Sequence, residues 1–197
     1  MSDLPPDPGS TLKALRAARA WSLSQTAAQT GVSKAMLGQI ERGESSPTVA
    51  TLWKIATGFN VPFSLFITSR LPDAPGKATP GAPQPVWQQH SAAMRAASMF
   101  PFDDELRVDM LIVELAAGQC SVSSAHERGV IEHVIVIEGQ LMLKVSDQWH
   151  TLEAEQGLRF QADRPHTYRN DGSQTARFYS LIHYGAQKIW PDDATSR

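Results

Sequence analysis

The sequence predicts two domains of different class: an all-α unit of five short helices, then an all-β antiparallel barrel, α+β overall. Three observations predict this. Apolar residues recur at helical spacing in the first third, as in Leu52, Ile55, Ala56 and Phe59. From Val86 onward the pattern becomes alternating and β-branched, in runs about ten residues apart separated by turn residues. Between the two, residues 68–85 (TSRLPDAPGKATPGAPQP) hold five prolines and two glycines. Proline locks φ and cannot donate to a ladder, so this stretch reads as a semi-extended linker. The expected domains are therefore 10–67 and 86–190, with 68–85 joining them.

Composition narrows the class. Hydrophobic residues make up 42% of the 197 positions and charged ones 19%, which is material enough for two packed cores. No run approaches the roughly 18 apolar residues of a membrane span, and MSDLPPDPGS lacks the basic and apolar segments of a secretory signal. A lone cysteine, Cys120, excludes an intramolecular disulfide and a cysteine-built zinc site. A cytoplasmic protein is expected. Residues 1–71 carry seven Lys/Arg against four Asp/Glu, a charge of +3, and the remainder eleven against sixteen, a charge of −5. A basic front and an acidic back suit a small nucleic-acid-binding unit joined to a different module.

In the helical part, Ser10 or Thr11 is expected to cap the first helix, with Leu12, Leu15 and Trp21 supplying contacts. Ser22 and Gln25 form a capping box for the second, and Gly31 ends it where positive φ is wanted. Ser33 caps a third helix ending near Arg42. On it Leu37 and Ile40 share an inward face, while Lys34, Ala35, Gly38, Gln39 and Arg42 lie on the opposite, polar or small face. A core helix would not leave that face open, whereas a helix lying in a DNA major groove would. Thr48 caps the fourth helix, Asn60 ends it, and Pro62 opens the last. Val49 and Trp53 flank the apolar stripe and read as core, and Arg16 is placed to pair with Glu41.

These residues, SLSQTAAQTGVS, KAMLGQIERGESSP and TLWKIATGFNVP, resemble the XRE or lambda-repressor-like helix-turn-helix family over residues 12–67. The resemblance implies base-edge contacts at Lys34, Ala35 and Gln39, with Gly38 close to the groove. It implies phosphate contacts at Ser33 and Arg42, and a double-stranded operator bound by a homodimer. Thr26 stands where the family usually has a buried leucine.

In the second part, RVDMLIVEL, EHVIVIEG, QLMLKVS, QWHTLEA, GLRFQA, HTYRN and ARFYSLIHYG read as strands. Gly139, Asp147, Gly157 and Asp171-Gly172 are the expected turns. Over roughly Val108 to His183 the chain resembles the cupin family, a jelly-roll barrel. Glu132 and Gly139 keep the spacing of its first motif, and His166 and Asn170 close its second. Arg128 stands where the family has a second histidine, two residues after His126.

The resemblance leaves His126, Glu132 and His166 as candidate ligands of a divalent metal such as zinc. The rival is a small-molecule pocket in which Arg128 fixes an anion and His126, Glu132, His166 and Tyr168 orient the ligand. A satisfied internal network is the third reading. Both domains together resemble one-component transcription regulators whose cupin domain senses a metabolite, with particular likeness to regulators of sulfur utilisation. That implies a sulfur-related or amino-acid effector and no catalytic residues. The competing classes are a metal-dependent cupin enzyme with an appended helical domain, and an antitoxin-like module needing a partner protein.

Overall fold

A computed structural model describes residues 7–68 and 93–185. Apart from Thr68, the expected linker lies outside the described residues, as does the start of the expected barrel domain. The helical unit is α1 Pro8–Ala18, α2 Leu23–Thr30, α3 Lys34–Glu41, α4 Val49–Phe59 and a 3₁₀ helix, Phe63–Phe66. The expected fifth helix is thus a single tight turn, with the Leu65 amide bonded to Pro62 O and the Ile67 amide to Ser64 O.

The caps follow the sequence except at the first helix. Both halves of the Ser22–Gln25 box are present, Gly31 has φ 67°, and Ser33 and Thr48 accept from the amides of Met36 and Thr51. The first helix starts earlier than Ser10. Asp7 Oδ1 accepts from Gly9 N (3.0 Å) and Ser10 N (3.2 Å), and Pro8 fits the first helical position because it has no N–H to satisfy.

Leu12, Leu37, Ile40, Leu52, Ile55, Phe59, Phe63 and Phe66 form the helical core. Thr26 is fully buried there, and its hydroxyl is satisfied by Ser22 O at 3.0 Å. α2 and α4 cross at Gly58, where a Cβ would sit 2.7 Å from Thr30 Cα. Arg16 grips Glu41 with two bonds, Nε to Oε1 at 2.6 Å and Nη2 to Oε2 at 3.0 Å, which ties α1 to the end of α3. Arg19 is not a free surface charge: its guanidinium donates to Phe59 O at 3.0 Å and lies 5.6 Å from the Trp21 ring centroid.

Nine strands are described: β1 Met94–Asp103, β2 Val108–Leu115, β3 Cys120–Ser123, β4 Ile131–Glu138, β5 Leu141–Val145, β6 Gln148–Leu152, β7 Gly157–Gln161, β8 His166–Arg169 and β9 Ala176–His183. They form two antiparallel sheets, ordered β1-β2-β9-β4-β7 and β3-β8-β5-β6. Seven match the runs read from the sequence, while β1 and β3 add to them. Gly139 (φ 76°) and Asp147 (φ 67°) occupy turns as expected, but Gly157 opens β7 itself. The preceding turn takes its positive φ at Glu155, and Gly157 is required because a Cβ would come 2.9 Å from Val134 O. Along β4 the alternation buries Glu132, Val134 and Val136 and turns His133 away.

The 3₁₀ helix is where the two units join. Its first amides have no partner within their own helix. Phe63 N donates to Tyr184 Oη at 3.1 Å, Tyr184 Oη donates to Asp109 Oδ2 at 2.8 Å, and Ser64 N donates to the same Oδ2 at 3.2 Å. Ser64 Oγ accepts from Phe102 N at 3.0 Å. The barrel therefore caps a helix of the other domain. Asp109 is fully buried, and burial pushes its carboxyl pKa up against the lowering effect of the bonds from Ser64 and Tyr184.

Candidate functional site

Two surfaces carry the candidate residues. The first is α3. Leu37 and Ile40 anchor it, while Ser33, Lys34, Ala35, Gln39 and Arg42 are exposed along one side. Gly38 is buried under the Arg42 side chain, whose Nη1 would lie 3.1 Å from a Cβ at that position. Ser33 uses its hydroxyl as the helix cap. Arg42 makes a two-bond pair with Glu44, each 2.7 Å, and that pairing raises the arginine pKa and lowers the glutamate pKa. Both partners are more than half exposed, so an incoming anion can displace Glu44 at little cost.

The second surface is the interior of the barrel. His126 lies in the loop between β3 and β4, held by its amide on Ala162 O at 2.9 Å. Glu132 comes from β4 and His166 opens β8. All three are buried, and one ligand atom from each lies within 4.8 Å of the others. The Nε2 atoms of His126 and His166 are each 3.7 Å from Glu132 Oε2. Glu132 Oε1 is occupied, accepting from Tyr168 Oη at 2.5 Å and Ser180 Oγ at 2.8 Å. Its Oε2 therefore faces the two rings. Burial alone would push the Glu132 carboxyl up, but His126, His166 and Tyr168 outweigh it and hold the pKa at about 2. Burial lowers the His166 pKa, against the raising pull of Glu132. Burial also raises the Tyr168 pKa well above the ordinary value, with Glu132 adding to it.

This donor set fits a divalent metal. His166 Nδ1 lies 3.0 Å from Arg164 O, which fixes the ring and leaves Nε2 buried with no hydrogen-bond partner among the described residues. A metal-bound histidine is held by its second nitrogen in this way. Two imidazoles and a carboxylate leave open positions for a further ligand.

The cavity over this triad has about 420 Å³ of empty space, counting the part open to solvent. Its lining is mostly apolar, with Ser121, Ser123, Tyr168 and Ser180 as polar additions. Arg128 is not brought to it. The side chain is exposed on the turn 127–129, which Gly129 closes with φ 88°. Among the described residues the lining holds no lysine or arginine. The expected anion clamp therefore lacks its cation.

Comparison with known proteins agrees with both halves. The helix-turn-helix family model matches residues 12–66, and the cupin domain model matches residues 111–182. The chain is 56% identical over 174 residues to the HTH-type transcriptional regulator SutR of Escherichia coli K12, covering 88% of this chain and 93% of that protein. The chain belongs to the family of helix-turn-helix transcriptional regulators that carry a cupin domain. The crystal structure of an HTH_3 family transcriptional regulator from Vibrio cholerae is 38% identical with a TM-score of 0.75, over 91% of this chain and 96% of that one. An uncharacterised HTH-type transcriptional regulator of Mycobacterium bovis matches 69 residues at 39% identity, covering 34% of this chain and 27% of that protein.

In this helix-turn-helix and cupin regulator the structure brings together four of the five barrel residues read from sequence: His126, Glu132, His166 and Tyr168. It adds Ser180, whose hydroxyl donates to Glu132 Oε1 and so fixes the carboxylate, and it adds Trp53, Val49 and Ala50 of α4. Alternation along β9 carried the signal for Ser180, an inward polar residue in an apolar run. Trp53 carried none, because helical periodicity does not say which body a face packs against.

Proposed function

We propose that this protein regulates transcription by binding operator DNA through α3 while its cupin cavity holds a small metabolite on a divalent metal. The observation that carries the DNA reading is the exposed row Ser33, Lys34, Ala35, Gln39 and Arg42 on a helix pinned at its far end by Arg16 and Glu41. Lysine donates to guanine O6 and N7, and glutamine pairs bidentately with adenine N6 and N7. Ser33 and Arg42 would meet phosphate, while Gly38, buried and not on the open face expected of it, leaves room for the Arg42 side chain. One such helix reads few base pairs, so the protein acts as a homodimer on two half-sites.

In the cavity, His126, Glu132 and His166 would hold a divalent metal, zinc being one ion that this donor set suits. Bound there, the metal would supply a Lewis-acid anchor for a donor atom of the effector. Tyr168 and Ser180 orient Glu132 through its other oxygen, and His126 and His166 favour its ionised form. Since Arg128 lies outside the lining, binding of an anion does not rest on it. A sulfur-bearing or amino-acid metabolite suits such a site, because a thiolate or amine is a good zinc ligand. The role is regulatory and not catalytic, exercised in the cytoplasm.

The test is selection of bound sequences from a random duplex pool by the full chain, followed by fluorescence anisotropy on the enriched duplex. Lys34→Ala or Gln39→Ala should weaken binding by about 1–3 kcal/mol and relax preference at particular base pairs. No enrichment by the wild type, or variants that bind with unchanged sequence preference, would refute it.

A further inference from the structure

The outer wall of the cavity comes from the DNA-binding domain. Trp53 of α4 is sandwiched between the two domains, stacked on Phe63 of its own unit (centroids 4.2 Å, 12°) and lying on His126 of the barrel (4.6 Å, 31°). Val49 and Ala50, four and three residues earlier on the same helix face, join it in lining the cavity. His126 is 8% exposed although it lies in a loop, and the indole is part of what covers it.

We propose that Trp53 is the gate of the cavity, so that a molecule reaching His126, Glu132 and His166 must move α4 off the barrel mouth. Resting on the functional reading above, this makes the site a composite of both domains. Its occupant presents a donor atom to the three ligand side chains and an apolar flank to the indole. Signal then passes at the contact itself, without relay through residues 68–85. An effector that requires the open arrangement binds only that fraction of molecules, and its binding draws the population toward it.

The gate is testable without knowing the effector. Diethyl pyrocarbonate carbethoxylates accessible histidine nitrogens, and peptide mass spectrometry reads each site separately. With chelator-treated full-length protein, Trp53→Ala should speed modification of His126 at least about fivefold, because reagent access to a covered group follows local opening. Trp53→Phe should stay near the wild-type rate. His133 and His183, on the faces away from the cavity, should not change. Asp109→Ala weakens the junction from outside the lining and should also speed His126, whereas Asp109→Asn should not.

Acceleration by both Trp53→Ala and Asp109→Ala is the expected result. Acceleration by Trp53→Ala alone would show a side-chain flap and overturn the domain movement. An unchanged rate in folded Trp53→Ala, judged by circular dichroism, would overturn the gate; if that variant fails to fold, Trp53→Leu applies the same criterion. Failure of the regulatory reading is distinguishable, since it appears as absent operator binding with His126 shielding intact.

Discussion

Replacing Asp109 tests how the two domains are held. In Asp109→Ala the amide of Ser64 loses its acceptor at 3.2 Å and the Tyr184 hydroxyl loses its acceptor at 2.8 Å. A buried donor left unpaired costs about 1–3 kcal/mol, so two orphans cost about 2–6. Part of that is returned, because a buried charge disappears with the carboxylate. We expect a net loss of about 1–3 kcal/mol, localised to the junction. Native-state hydrogen exchange at the Phe63 and Ser64 amides reads it directly, as protection lower by roughly 5- to 150-fold. Asp109→Asn, with its amide oxygen turned to the place of Oδ2, keeps an acceptor for both donors and should retain wild-type protection. The pH dependence gives a second check. Burial raises the folded pKa of Asp109 above its unfolded value, so its contribution is complete below the unfolded pKa and is lost as pH rises through the folded one. The Asn variant lacks this loss, so its stability relative to wild type should grow as pH rises above the ordinary aspartate pKa of about 4. Unchanged Ser64 protection in Asp109→Ala, or a wild type that gains on Asn with rising pH, would refute the reasoning.

Other outcomes follow from particular contacts. Gly58→Ala should lower the midpoint of thermal unfolding by an amount equivalent to about 1–3 kcal/mol, because its Cβ would meet the backbone of Thr30 and Gln29, which cannot rotate away. Arg16→Ala leaves Glu41 mostly buried without its two-bond partner and frees Trp21 O, and urea unfolding should show a loss of about 2–3 kcal/mol. Elemental analysis of untagged protein should find about one zinc per chain in the wild type, and background in His126→Ala and His166→Ala. Metal retained in both variants would exclude the His126, Glu132 and His166 site.

What the sequence revealed was what local patterning encodes. Caps at Ser22, Ser33 and Thr48, the inward pair Leu37 and Ile40, and the strand alternation that buries Glu132 each depend on neighbours a few residues away. The Arg16–Glu41 pair was legible as well, from the placement of the two residues and with support from the helix-turn-helix resemblance. β1 was missed because MRAASMFPFD is rich in small residues and contains Pro101, and β3 because CSVS is short and carries few strand formers. Arg128 was misplaced for a different reason. The cupin resemblance put it where a ligand would be, but the turn at Gly129 leaves it exposed to solvent. Trp53, Asp109 and Tyr184 were silent because their partners lie on the other domain; Phe63 and Tyr184 are 121 residues apart.

The trans-domain cap on the 3₁₀ helix also bears on how such regulators can be recombined. Grafting a foreign operator-reading head onto this barrel at the proline-rich segment would leave Asp109 and Tyr184 facing a helix end they do not match. A working hybrid must take its crossover upstream of α4, or carry compatible partners at 53, 63, 64, 109, 126 and 184. Exchange of whole heads is therefore limited by the residues of α4 and the 3₁₀ helix that meet the barrel.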